Sequence, residues 1–114
     1  MPYISVQTSA ELSKAAAETI KAELGRLITI IPGKTEPDLM VDLAGSRTMY
    51  MAGKAAPCAY IDLRVYTRTD PDAKKRFTRE TFALIQRELN IPAANQYMTI
   101  TEFDAWGYDG ELHP

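Results

Sequence analysis

Few residues in this chain of 114 belong to types that do chemistry unaided, and their scarcity narrows the choices. Cys58 is the only cysteine and His113 the only histidine. A single thiol excludes an internal disulfide and any cysteine-built metal or iron–sulfur site. A zinc site would have to rest on carboxylates alone, so neither a metal nor a cofactor is expected. Cys58 reads as an inert buried thiol, and His113, beside the carboxyl end, as part of a mobile tail. Lys74, Lys75, Arg76 and Arg79 cluster where a helix is expected to begin, and they read as its solvated face. Pro2 follows Met1 directly. Proline in second place is common in unrelated proteins and says little alone. Once the methionine is removed, however, it carries a free amine with a reference pKa of roughly 8 and a lone pair that the ring holds in place.

The length suits one domain, expected over residues 1–114. Such a domain buries roughly two thirds of its unfolded surface, so it folds alone but gains from oligomerising. A formal net charge of −2 gives no electrostatic reason to expect nucleic acid or an anionic membrane as partner. Residues 1–8 (MPYISVQT) are not basic, and no apolar run nears the roughly 20 residues that span a bilayer. The expected location is the reduced cytoplasm, or outside the cell without a signal peptide.

The elements that must position these residues follow from hydrophobic period. Residues 3–7 (YISVQ) alternate as a strand. Thr8-Ser9-Ala10-Glu11 fits a capping box. Leu12, Ala16, Ile20, Leu24, Leu27 and Ile31 then recur along one face of a long amphipathic helix, which Pro32-Gly33 ends. Residues 39–43 (LMVDL) form a second strand, and the Gly/Ala-rich stretch 44–57 is irregular or a hairpin. The pattern repeats: a strand at 58–66 (CAYIDLRVY), then a helix capped by Asp70-Pro71. That helix carries Phe77, Thr81, Leu84, Ile85 and Leu89 on one side and closes at Asn90-Ile91-Pro92. The last long strand is 97–103 (YMTITEF). Two β–α–β units of this kind predict an α+β fold, one four-stranded mixed sheet with both helices on one face. Strands three and four are apolar enough that the other sheet face is expected to need a cover, which a symmetric oligomer supplies.

The order and spacing of several short motifs resemble the tautomerase superfamily, in its macrophage migration inhibitory factor and D-dopachrome tautomerase branch. They are Pro2 in MPYISV, Gly33-Lys34 after the first helix, Met49 through Gly53, Pro57-Cys58-Ala59, Asn90-Ile91-Pro92, and Tyr97 opening the last strand. The resemblance runs from residue 2 to about 107. It implies the same double β–α–β layout and a homotrimer that closes the sheets into a barrel, with active sites between subunits. It also implies site roles: Pro2 as catalytic base and Lys34 as the pocket lysine that meets a substrate carboxylate. Tyr66 would act through its backbone amide, and Tyr97 would enter the pocket from the neighbouring subunit. Thr99 replaces the family's asparagine in the substrate-binding set, and Asp38 replaces a rim aromatic. The second cysteine of the family's Cys-x-x-Cys is Ile61, so thiol–disulfide activity has no residues to run on.

The chemistry implied is keto–enol tautomerisation of a small 2-keto or enol carboxylate of the phenylpyruvate kind. It needs a base neutral at working pH and within reach of the carbon beside the carbonyl. Burial and a nearby cation both disfavour a charged amine and lower its pKa. Tyr3, Met40 and Tyr97 are expected to wall such a pocket, with Trp106 and Gly107 at its rim or in a subunit contact. Two other readings stay open. One is a decarboxylase, hydratase or dehalogenase of the same superfamily, using Arg64, Arg68 and Asp38. The other is a cytokine-like binding protein whose pocket is vestigial.

Overall fold

The computed structural model describes residues 1–114. It contains strands β1 (Pro2–Thr8), β2 (Met40–Ala44), β3 (Ala59–Tyr66) and β4 (Gln96–Phe103), with helices α1 (Lys14–Leu27) and α2 (Pro71–Leu89). The four strands form one mixed sheet in the order β2-β1-β3-β4. β2 runs parallel to β1 and β4 parallel to β3, while β1 and β3 meet antiparallel at the centre. This is the two-unit α+β layout that the hydrophobic periods predict.

Strand alternation assigns the two sheet faces. Ile4, Val6, Ile61, Leu63 and Val65 are fully buried, or within 1% of it, with Ile20, Leu24, Phe77 and Ile85 of the helices. They belong to one cluster of 15 buried residues. The alternate positions form the opposite face and carry Tyr3, Tyr60, Asp62, Arg64, Tyr97 and Thr99 (strands as given above). That face is polar and hydrogen-bonded within itself. The expected apolar second face is therefore corrected: the helices already consume the apolar residues of β3, and those of β4 (Met98 and Ile100) pack against the same core.

The first helix starts later than its expected capping box. Thr8 ends β1, and its hydroxyl donates to the Cys58 carbonyl at 2.9 Å while accepting from the Ala10 amide at 3.1 Å. Held there, it cannot cap a helix. Ser13 does so, accepting from the Ala16 amide at 3.0 Å. The helix also ends sooner, at Leu27, passing through a 3₁₀ turn at Ile28–Ile30 before the Gly33 turn. The second helix begins as expected, with Asp70 accepting from the Ala73 amide at 3.0 Å. It ends on Asn90, whose left-handed φ of 56° stops the helix.

A hairpin follows β4 that the sequence reading left out: β5 (Trp106–Tyr108) and β6 (Glu111–His113), joined through Asp109-Gly110 at positive φ. His113 is thus no mobile tail. It pairs with Trp106, and its ring nitrogen Nε2 lies 3.3 Å from the Tyr108 carbonyl. Cys58 is buried, as expected.

Phe77 is completely enclosed between the helices and the sheet. Phe77→Ala is expected to cost about 3–5 kcal/mol in urea unfolding with an unchanged m-value. A loss under about 1 kcal/mol would mean that the core can collapse around the gap.

Candidate functional site

Register brings the site together. Pro2 lies opposite Val65, and Tyr3 opposite Arg64 on one side and Met40 on the other. The amino end of β1 therefore stands beside the start of β2 and the finish of β3. A cavity of about 740 Å³ opens there, walled by Pro2, Tyr3, Met40 and Arg64 from the sheet, by the 3₁₀ turn Glu36–Asp38, and by the C-terminal hairpin. Trp106 of the hairpin sits edge-on to Phe103, ring centres 5.9 Å apart, and both belong to the wall. Pro2 is buried and Met1 half-buried in the same cavity. With Met1 in place the Pro2 nitrogen is an amide and has no basicity.

The electrostatics at this end favour a neutral amine. The amino terminus of Met1 is held below its ordinary value, first by partial burial and second by the charge of Lys34, with Asp38 opposing. Both lowering causes act by penalising the ammonium form. Lys34 donates from Nζ to the Tyr66 carbonyl at 3.2 Å and is not among the residues that wall the cavity. Tyr66 contributes that carbonyl, and its hydroxyl donates to the Pro114 carbonyl at 2.5 Å.

The remaining sequence candidates divide. Asp38 lines the cavity, while Arg68 does not. Tyr97 stands near the far end of β4 beside Tyr60, 62% exposed and outside its own chain's cavity. Glu102, not Tyr97, is level with Pro2, and five residues of strand put Tyr97 about 16 Å away along the sheet. Thr99 is likewise outside the cavity, its hydroxyl donating to Asp62 at 2.8 Å. Of the expected walls, Tyr3 and Met40 come from this chain, whereas Tyr97, expected from a neighbouring subunit, lies outside its own chain's cavity.

The sequence reading passed over Phe103 and most of the hairpin. A signal for the hairpin existed, since Asp109-Gly110 is a strong short-range turn pair. The basic run on α2 is partly engaged. Lys74 lies 3.3 Å from the Glu102 carboxylate, which also accepts from the Thr69 amide at 2.6 Å. These bonds, the backbone one foremost, hold the Glu102 carboxyl below the usual range. No three His, Cys, Asp or Glu side chains converge on a metal-sized space. No helix is long and apolar enough to cross a membrane.

Comparison with known proteins agrees with this layout. The chain is similar in structure to Leishmania major MIF2, with a TM-score of 0.92 and 24% identity over 99% of this chain and 97% of that one. A macrophage migration inhibitory factor-like protein of Entamoeba histolytica superposes at a TM-score of 0.87 with 19% identity, covering 98% of each chain. The homologue from Prochlorococcus marinus gives 0.81 and 22% identity over 96% of this chain and 97% of that one. At such identities these likenesses speak for the fold. No curated protein sequence matches. The family model for macrophage migration inhibitory factor (MIF) matches residues 1–111, and by that match, over nearly its whole length, the chain belongs to the MIF family.

Proposed function

We propose that this protein is a keto–enol tautomerase acting on a small 2-keto or enol carboxylate of the phenylpyruvate kind, with Pro2 as general base once Met1 is removed. The observation that carries the reading is the amino end of β1 opening into a cavity with many apolar walls, where burial first and Lys34 second hold the Met1 amine below its ordinary value. In the keto-to-enol direction the Pro2 nitrogen takes the proton from the carbon beside the carbonyl and a proton is delivered to the carbonyl oxygen, the reverse holding for ketonisation. Its ring leaves the lone pair one direction to point. Burial first and Lys34 second disfavour the charged form of the base, and Lys34 stabilises the developing enolate through space.

The site is completed in a homotrimer, where Tyr97 of a neighbouring copy reaches the cavity. Two features support this. Tyr97 is exposed and far from its own Pro2, and both β2 and β4 leave an unpaired sheet edge that a second copy can cover. The backbone amide of Tyr66 is assigned to substrate contact on the same resemblance.

Asp38 and Arg64 share the cavity, which gives the decarboxylase reading a specific footing. Release of carbon dioxide from malonate semialdehyde at enzymatic rate would favour it. Its third member, Arg68, is outside the wall, so tautomerisation is the better reading.

On protein whose intact mass begins at Pro2, phenylpyruvate tautomerisation followed by ultraviolet absorbance is expected to run well above buffer. Pro2→Gly should lower it by at least about 100-fold, the scale of a lost general base. Equal rates in the two proteins would sink the proline mechanism.

The sign of the pH dependence follows from the groups around the amine. A base works when neutral, so a lowered pKa puts the ascending limb of kcat/KM below the ordinary value of about 8. Lys34→Met removes a cation and should move that limb to higher pH. Asp38→Asn removes an anion and should move it to lower pH. Shifts in the same direction, or none, would contradict this electrostatic account.

A further inference from the structure

Beyond the base, the open face of the sheet carries a chain of hydrogen bonds that ends in the cavity. Asp62 accepts from Thr99 Oγ1 at 2.8 Å on one oxygen and from Arg64 Nε at 2.8 Å on the other. Thr99 has a single hydroxyl proton, already given to Asp62, so the 2.6 Å contact with Tyr60 must be a bond that Tyr60 donates. The order is therefore Tyr60 to Thr99 to Asp62, with Arg64 donating from the opposite side. The Asp62 side chain is only 12% exposed, whereas that of Arg64 is 53% exposed. The Tyr3 ring, 5.6 Å from the guanidinium carbon, backs the group from β1.

Only Nε of Arg64 is used in this chain. Its two terminal nitrogens have no protein partner, and a guanidinium presents them as a planar fork that fits a carboxylate bidentately. Arg64 is also the only cationic side chain in the cavity wall, whereas Asp38 and Asp109 stand elsewhere in the same wall. A carboxylate entering the cavity is repelled at those two positions and attracted at one. Lys34, by contrast, is outside the wall with its ammonium on the Tyr66 carbonyl.

Taking the cavity as the site of the proposed tautomerisation, we infer that Arg64, not Lys34, anchors the substrate carboxylate, and that Thr99 and Asp62 are positioning residues that aim its free fork. The ligand class is an organic monocarboxylate, its apolar remainder lying along Phe103 and Trp106. Thr99 then serves the site of its own chain through two intervening groups, without touching substrate.

The test uses the full protein and a carboxylate that does not react. Trp106 is the only tryptophan and lies in the wall, so quenching of its fluorescence reports binding directly. Cinnamate and methyl cinnamate differ in the carboxylate alone. Wild type should bind the acid at least about tenfold more tightly than the ester. Arg64→Gln should weaken the acid about 10- to 100-fold and leave the ester within about twofold. Arg64→Lys, which keeps the charge but not the fork, should fall between. Thr99→Val should weaken acid binding several-fold and raise KM for phenylpyruvate without lowering kcat, a split that general loss of structure does not produce. Lys34→Met should keep the acid-to-ester ratio. Loss of that ratio in Lys34→Met with its survival in Arg64→Gln would overturn the assignment, and so would a wild type indifferent to the ester. Acid binding that depends on Arg64 in a protein with no tautomerase rate would leave the anchor standing and remove the proposed reaction.

Discussion

β1 is paired on both sides, parallel to β2 and antiparallel to β3, and that double register decides where its first residue stands. Strand side chains alternate with a period of two, so a slip by one residue would turn Ile4 and Val6 out of the core and Tyr3 into it. The buried residues make such a slip costly. Each fully enclosed aliphatic side chain contributes roughly 1.5–3 kcal/mol to keeping the register. The same alternation puts Arg64 and Tyr3 across from each other on the open face, one position from the amino end. Packing in the core and chemistry at the strand end are thus one constraint seen from two faces of the sheet.

Around that end the charges act at two ranges. Lys34 and Asp38 bear on the Met1 amino terminus through space and in opposite senses, burial being the larger influence. Arg64 lies in the cavity wall, its direction set by Asp62 and Thr99. In the proposed reaction the cation that tunes the base and the cation that holds the substrate are different residues, so each is placed for one task. It also gives the polar face of the sheet a reason to be polar. Tyr60, Thr99 and Asp62 form a relay of fixed dipoles ending in a guanidinium, and an apolar face could not orient one.

Much of this was legible in the sequence because the strongest signals were periodic. The spacing from Ile20 to Leu27 and from Phe77 to Leu89 gives the helices, and the alternation of 59–65 gives the central strand. Pro2, Asp38 and Tyr3, which order and motif put at one pocket, line the same cavity. Local hydrogen-bond competition was not legible: Thr8-x-x-Glu11 has the pattern of a cap, but the Thr8 hydroxyl is taken by Cys58, fifty residues away. Nor could period alone decide that helices alone would absorb the apolar side of β3. The carboxyl-terminal hairpin was missed through short-range chemistry, since Asp109-Gly110 marks a turn even where the flanking strands are three residues each. The role of Arg64 depends on which nitrogen its neighbour occupies, and no spacing rule carries that.

The most direct measurement is a nitrogen-15 NMR titration of Pro2 in protein that begins at that residue. A midpoint clearly below the ordinary α-amino value of about 8, rising when Lys34 is replaced by methionine, is what burial and the nearby cation require. A midpoint at or above the ordinary value, unmoved by that replacement, would mean that the amino end of β1 is no neutral base and that the account of the site is wrong.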